Sequence, residues 1–190
     1  MFRVAVCGGI GSGKSAVTAI LRDLGAKVVV ADEINAQLLT EPGYIDKIAT
    51  IFPTVVHNHS INKKELAAIV YRDERKRRAL MDLAHPLIFE RMFAAYLDSK
   101  IVFYEIPLLS ETAYTFDLVW YVDADIDLRV ERVMLRDGID ATRAKKIISL
   151  QRAEDKLRER ADFVIDNRHG VDDLRRVVSD QYCLILDRFL

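Results

Sequence analysis

Apolar residues run without a break through Val4-Ala5-Val6-Cys7 and then give way to a glycine-rich stretch, Gly8 to Gly13. Phe2 to Cys7 therefore reads as a short strand buried on both faces. From Lys14 to Asp23 the apolar positions return at helical spacing and stop at Gly25, a residue suited to the end of a helix. Ala26-Lys27-Val28-Val29-Val30 is a second β-branched run. Strand, helix and strand in such quick succession form the βαβ unit of a parallel sheet.

Further on, Asp32 opens a helix with Ile34, Leu38 and Leu39 on one face, and Glu41-Pro42-Gly43 breaks it. Phe52 to Ile61 has no periodicity, contains Pro53 and reads as loop. Asn62 is placed to cap a helix through Tyr71, and a basic stretch, Arg72 to Arg78, leads past Leu80 and Leu83 to a break at His85-Pro86. Leu87 to Leu97 reads as a further helix, as do Leu128 to Arg136, Ala141 to Leu150 and the amphipathic Val171 to Phe189. Strands are expected at Lys100 to Ile106, Leu118 to Val122 and Phe163 to Ile165. No repeat, low-complexity tract or linker interrupts the alternation. The expected class is α/β, a three-layer sandwich with a central parallel sheet and helices on both faces.

Composition narrows the function classes. A chain of 190 residues, 51% hydrophobic and 30% charged, has the balance of a globular protein with a real core. A net charge of −1 argues against a broad nucleic-acid face. Cys7 and Cys183 stand near opposite ends without zinc or disulfide spacing. Val4 to Cys7 is too short for a signal peptide, and no segment approaches the roughly 20 apolar residues of a membrane span. The expected compartment is the cytoplasm, with neither nucleic acid nor membrane as partner.

Gly8-Gly9-Ile10-Gly11-Ser12-Gly13-Lys14-Ser15 satisfies G-x-x-x-x-G-K-[ST], with a strand before it and a helix after it. Glycines let successive backbone N–H groups curl around a phosphate, and the following helix points its positive end at the same anion. Lys14 is placed to reach the β- and γ-phosphates of ATP, and the Ser15 hydroxyl to ligate Mg²⁺. Gly9, Gly11, Ser12, Gly13, Lys14, Ser15 and Ala16 are the expected nucleotide-binding residues. A GTPase would carry N-K-x-D, but Asn62-Lys63-Lys64-Glu65 ends in glutamate at a helix start, and no LSGGQ-type signature is present. A small-molecule kinase is favoured.

On the acceptor side, Asp32 follows the second strand, where ligands of open α/β sheets bind. It is read either as a general base for an attacking hydroxyl or as the cap of the helix that follows. Glu105, near the end of the Lys100 to Ile106 strand, is a candidate acid for holding Mg²⁺, with a solvated edge residue as the alternative. His85-Pro86 is a ligand candidate or a structural pair, and His57 and His59 lack a third metal ligand. Arg132 and Arg136 share a helix face; Arg129, Arg143, Lys145, Lys146, Arg152, Lys156, Arg158 and Arg160 extend the basic character. Arginines closing over a γ-phosphoryl group would stabilise its charge. Glu131, Asp137, Glu154 and Asp155 would instead pair with several of them on a solvated surface. Arg136 is the first candidate for function.

Taken together these residues resemble the dephospho-CoA kinase family over nearly the whole length. Besides the glycine loop, the resemblance rests on Ala31-Asp32, on Leu83-Ala84-His85-Pro86-Leu87-Ile88, and on Glu105-Ile106-Pro107-Leu108-Leu109-Ser110-Glu111. Arg132 to Gly138, Gln151 and Ala161-Asp162-Phe163-Val164-Ile165-Asp166-Asn167 add to it. It implies transfer of the ATP γ-phosphate to the ribose 3′-hydroxyl of dephospho-CoA, with Mg²⁺; a monomer or small homo-oligomer is expected. It also implies a nucleotide-binding core (1–40, 100–125 and 160–190), a helical CoA-binding region (41–99) and a lid (126–159). In that picture Lys14, Asp32 and Arg136 are catalytic, and Asn167 joins the nucleotide site. His85, Pro86, Pro107 and Leu108 touch substrate, and Ser15 and Glu105 hold the metal. Two departures stand out. Val30 occupies the first position of the family's usual Asp-Ala-Asp, and Ala36 stands where an arginine is usual. Another nucleoside or small-molecule kinase, or a nucleotide-binding regulator with weakened catalysis, are the rival readings.

Overall fold

The computed structural model describes residues 1–150 and 155–189. In chain order the elements are β1 (Phe2–Cys7), α1 (Lys14–Asp23), β2 (Val28–Val30), α2 (Ala31–Leu38), α3 (Pro42–Ile51), β3 (Val56–His57), β4 (Ser60–Ile61), α4 (Lys63–Arg72) and α5 (Glu74–Ala94). They continue with β5 (Ile101–Glu105), β6 (Leu118–Asp123), α6 (Ile126–Asp137), α7 (Ala141–Leu150), β7 (Phe163–Asp166) and α8 (Val171–Phe189). The chain divides into two compact units, Met1–Val30 with Tyr96–Leu190, and Ala31–Ala95.

The first unit holds a five-stranded sheet in the order β2-β5-β1-β6-β7, parallel throughout. From β1 the chain moves out to edge strand β2, returns to β5 at the inner position, and then crosses β1 to reach β6 and β7. This reversal leaves a crevice beyond the carboxyl ends of β1 and β5, the usual ligand position in such sheets. The register sets Val4 beside Phe103 and Leu118, and Val6 beside Glu105 and Trp120. Side chains in register share a face. This one is covered by Val17, Ile20 and Leu21 of α1 and by Leu174, Val178 and Ile185 of α8. Trp120 sits edge-on to Phe103 and Phe163, with ring centroids 5.2 and 5.8 Å away. Each such buried aliphatic or aromatic group contributes about 1.5–3 kcal/mol, so this packing anchors the strands from which the loop leaves. Gly25 ends α1 at φ 86°, its N–H on the Arg22 carbonyl and that of Ala26 on the Leu21 carbonyl. That pair of bonds turns the chain back into β2. Helices α6 and α7 close a smaller core of Val130, Val133, Ala144 and Ile148.

In the second unit α2, α3 and α4 pack against α5. One expectation is extended here and two are corrected. Glu41-Pro42-Gly43 ends one helix and also starts another, because Pro42 sits at the first helical positions of α3, where its missing N–H costs nothing. Phe52 to Ile61 is not a plain loop. A 3-10 turn, Pro53–Val55, leads into the antiparallel hairpin β3–β4, whose turn residues Asn58 and His59 have φ of 49° and 57°. Such turns usually announce themselves with glycine, and strands of two residues are too short to alternate. His85-Pro86 is not a break either. α5 runs through Pro86, which faces solvent, while Ala84, Ile88, Phe89 and Met92 stay buried on either side of it. A proline removes one helical hydrogen bond, and the buried stripe outweighs it. No helix among the described residues is long and apolar enough to cross a membrane.

Candidate active site

The loop after β1 is shaped by its close neighbours. Gly13 has φ 99°, and a Cβ there would lie 2.0 Å from Asn167 Nδ2. A Cβ on Gly9 would lie 2.0 Å from Arg129 Nη2. Glycine is therefore favoured at position 13 by its backbone, and a side chain at position 9 would have to displace the Arg129 guanidinium. No side chain caps the start of α1, so that N-terminus is open to an anion.

Three consecutive carbonyls of the loop are tied to side chains. Arg129 Nε donates to Ile10 O (2.9 Å), and Arg132 Nη1 to Gly11 O and Ser12 O (3.2 Å each). Asn167 Nδ2 donates to Ser12 O (2.8 Å). Across a trans peptide the carbonyl and the following N–H point opposite ways. Holding the Ile10 and Ser12 carbonyls thus commits the Gly11 and Gly13 N–H groups to the other side, while Ser12 N–H closes on Gly9 O at 3.1 Å. Arg132 Nη2 also reaches Asn167 O (3.2 Å), joining α6 to the end of β7. Lys14 Nζ donates to Gly8 O (2.8 Å) and Gly9 O (3.3 Å), so its ammonium lies folded over the loop. Ser12 Oγ is buried with no hydrogen-bond partner among the described residues.

Glu105 stands where the sheet register puts it, on the face shared with Val6 and Val30 and covered by α1. It is 6% exposed and accepts from Thr18 Oγ1 (2.6 Å, to Oε2) and Ser15 Oγ (3.1 Å, to Oε1). Glu105 is a buried, doubly hydrogen-bonded carboxylate rather than a solvated edge residue. Val30, beside it in register and part of the apolar core, keeps a second carboxylate away from Glu105. Two adjacent carboxylates would each disfavour the other's ionisation. The serine hydroxyl and carboxylate together make an oxygen-only donor set of the kind a hard cation accepts; among the described residues no group of three His, Cys, Asp or Glu is arranged to hold a metal ion.

The sequence-predicted residues divide between the units. Gly9, Gly11, Ser12, Gly13, Lys14, Ser15, Ala16, Glu105 and Asn167 come together in the first. Pro107 and Leu108, half-buried, follow β5 at the same sheet edge, leading into the 3-10 turn Leu109–Glu111. Arg136 is exposed, with Nε 2.7 Å from Asp137 Oδ1, which holds the Asp137 carboxyl below its ordinary range. Asp32, exposed in the first turn of α2, belongs to the second unit, as do exposed Pro86 and half-buried His85, whose ring lies edge-on to Phe89. Ala36 is exposed on α2. Gln151, Arg152 and Glu154 lie outside the described residues.

Arg129 and Arg132, which the sequence reading placed behind Arg136, donate to the loop carbonyls. Spacing of three puts them on one helix face, but spacing of four does the same for Arg132 and Arg136, so the pattern along α6 does not separate them. Thr18, one turn into α1 from Ser15, was missed. So was Tyr121, whose hydroxyl donates to Asp155 (3.3 Å) and whose pKa is raised by burial and by nearby Asp155.

The family model described as dephospho-CoA kinase matches residues 2–173. Over 100% of this chain and 93% of its own length, dephospho-CoA kinase of Syntrophotalea carbinolica is 35% identical. Among solved structures, TT1252 from Thermus thermophilus superposes with a TM-score of 0.83 at 29% identity over 96% of both chains. Dephospho-CoA kinase from Campylobacter jejuni does so with 0.64 at 25%, again over 96% of both. By sequence match along nearly its whole length and by the loop geometry above, this chain belongs to the dephospho-CoA kinase family.

Proposed function

We propose that this chain transfers the γ-phosphoryl group of ATP to the ribose 3′-hydroxyl of dephospho-CoA, completing coenzyme A. The observation that carries the reading is the phosphate loop, its Ile10, Gly11 and Ser12 carbonyls held by Arg129, Arg132 and Asn167, with Lys14 folded across it. An anion entering there would meet N–H groups already oriented, so little reorganisation opposes binding. Lys14 would exchange the Gly8 and Gly9 carbonyls for β- and γ-phosphate oxygens. The Ser15 hydroxyl and Glu105 carboxylate fit Mg²⁺, which commonly takes one or two protein oxygens and completes its shell with phosphates and water. Bound there, it would offset charge on the transferring phosphoryl group.

Asp32, two residues past the carboxyl end of β2, would accept the proton of the 3′-hydroxyl. The ribose oxygen then bonds to the γ-phosphorus as the bond to the β–γ bridging oxygen breaks, and ADP departs. His85, Pro86, Pro107 and Leu108 would contact the acceptor, and Arg136 would clamp phosphate when the lid closes. The enzyme would work in the cytoplasm as a monomer or small homo-oligomer. A coupled ADP-release assay with dephospho-CoA and a panel of nucleosides tests the reading. Turnover highest with dephospho-CoA supports it. Faster turnover of a nucleoside would make this another small-molecule kinase, and ATP binding without turnover of any acceptor would make it a regulator.

A further inference from the structure

We propose that Arg129, oriented by Asp155, is a positioning residue for the nucleotide, holding the Ile10 peptide so that the loop presents an N–H rather than a carbonyl to the phosphates. This deepens the proposed function and rests on the loop binding nucleotide.

Arg129, in the first turn of α6, is 5% exposed. Its guanidinium is divided between two tasks, Nε on Ile10 O (2.9 Å) and Nη1 on Asp155 Oδ1 (2.9 Å). A buried guanidinium is costly unless its charge is matched, and Asp155 supplies the match from the residue before the 3-10 turn Lys156–Arg160. Tyr121 donates to the same carboxylate oxygen, and its raised pKa keeps it a donor throughout the physiological range. The Asp155 side chain is thus fixed from β6 and in turn fixes the arginine fork. Nη2 is buried with no partner among the described residues. It occupies the space where Gly9 would otherwise carry a Cβ, and the Arg129 carbonyl lies 2.7 Å from the Cβ position of Gly11. The loop glycines are therefore as much a fit to this arginine as to an anion. Lysine cannot reproduce the arrangement, because one ammonium lacks the planar fork that serves two acceptors in different directions. If the Ile10–Gly11 peptide rotates, a donor to the phosphates is lost and a carbonyl dipole takes its place.

The test uses the full chain with Arg129→Lys, Asp155→Asn and the double variant. Calorimetric titration with a non-hydrolysable ATP analogue and Mg²⁺ measures nucleotide binding without any acceptor, and wild-type turnover of dephospho-CoA separately tests the reaction. Loss of one charge-assisted contact predicts a roughly tenfold rise in Kd for Asp155→Asn and roughly 10- to 100-fold for Arg129→Lys. The double variant should match Arg129→Lys alone, because the two act as one unit. In steady state the KM for ATP should rise while the KM for dephospho-CoA stays within about twofold. Should Arg129→Lys not fold, Asp155→Asn, altered at a half-exposed position, decides the matter. Analogue binding by Asp155→Asn within about twofold of wild type, or a loss falling equally on both substrates, would overturn the proposal and leave Arg129 a structural brace.

Discussion

Replacing Thr18 by valine keeps the side-chain shape and removes one hydroxyl, which donates to Glu105 Oε2 at 2.6 Å in a setting where Thr18 is 1% and Glu105 6% exposed. The remaining donor to that carboxylate, Ser15 Oγ, sits at the longer distance of 3.1 Å and on the other oxygen. The variant therefore leaves Oε2 without its short bond and with little access to water. A hydrogen bond to a charged group contributes about 1.5–3 kcal/mol, and burial places this one near the middle, about 2 kcal/mol. At 2–4 °C per kcal/mol for a chain of this size, the melting temperature should fall by roughly 4–8 °C. Trp120 is the single tryptophan and is buried in the core beside Glu105's strand neighbours, so urea unfolding followed by its fluorescence reads the right unit. Glu105→Gln provides the control. With a neutral acceptor the same Thr18→Val change should cost only about 0.5–1.5 kcal/mol, a coupling near 1 kcal/mol in a double-mutant cycle. If Thr18→Val unfolds within about 0.5 kcal/mol of wild type, the Thr18 hydroxyl does not anchor Glu105, and the claim that this bond pre-positions the carboxylate fails.

Gly13→Ala would meet Asn167 Nδ2 and adopt φ 99°, breaking the bond to Ser12 O. Strain of about 1–3 kcal/mol should appear as a lower melting temperature together with loss of nucleotide binding, and an alanine variant that binds ATP normally would refute the fit described for the loop. Asp32→Asn should lower turnover by about 10²–10⁴-fold with little change in the KM for dephospho-CoA, as for a general base; an effect on KM alone would make Asp32 a binding group. In the second unit, the Arg91 hydrogen bond holds the Glu41 carboxyl below its ordinary 4.5. A depressed carboxylate stabilises the fold fully above the unfolded pKa and loses that contribution as pH falls through the folded one. Glu41→Gln should therefore flatten the dependence of stability on pH below about 4.5 and leave the neutral range parallel to wild type, as acid titration by circular dichroism will show.

Most of the local elements were legible in the residues themselves. Eight residues after an apolar run named the phosphate loop and the helix behind it, and the β-branched run at Val28–Val30 named the second strand, because these signals lie within one turn or one strand. The alternation of strands and helices was enough for the layered α/β class. What the register brings together is set by the packed sheet. Glu105 pairs with Ser15 and Thr18, which lie 90 and 87 residues away, because parallel pairing puts it on the α1 face. No local pattern encodes that. The same holds for Arg129 and Arg132, which were indistinguishable from other cations along α6 until the fold laid one face of that helix against Ile10, Gly11 and Ser12. Pro86 misled for the converse reason. Its local tendency is to break a helix, and burial of Ala84, Ile88 and Phe89, which is a property of the packed unit, overrode it. Short-range covalent geometry is written in neighbouring residues, whereas the environment of a charge or a peptide depends on chain segments that meet only after folding.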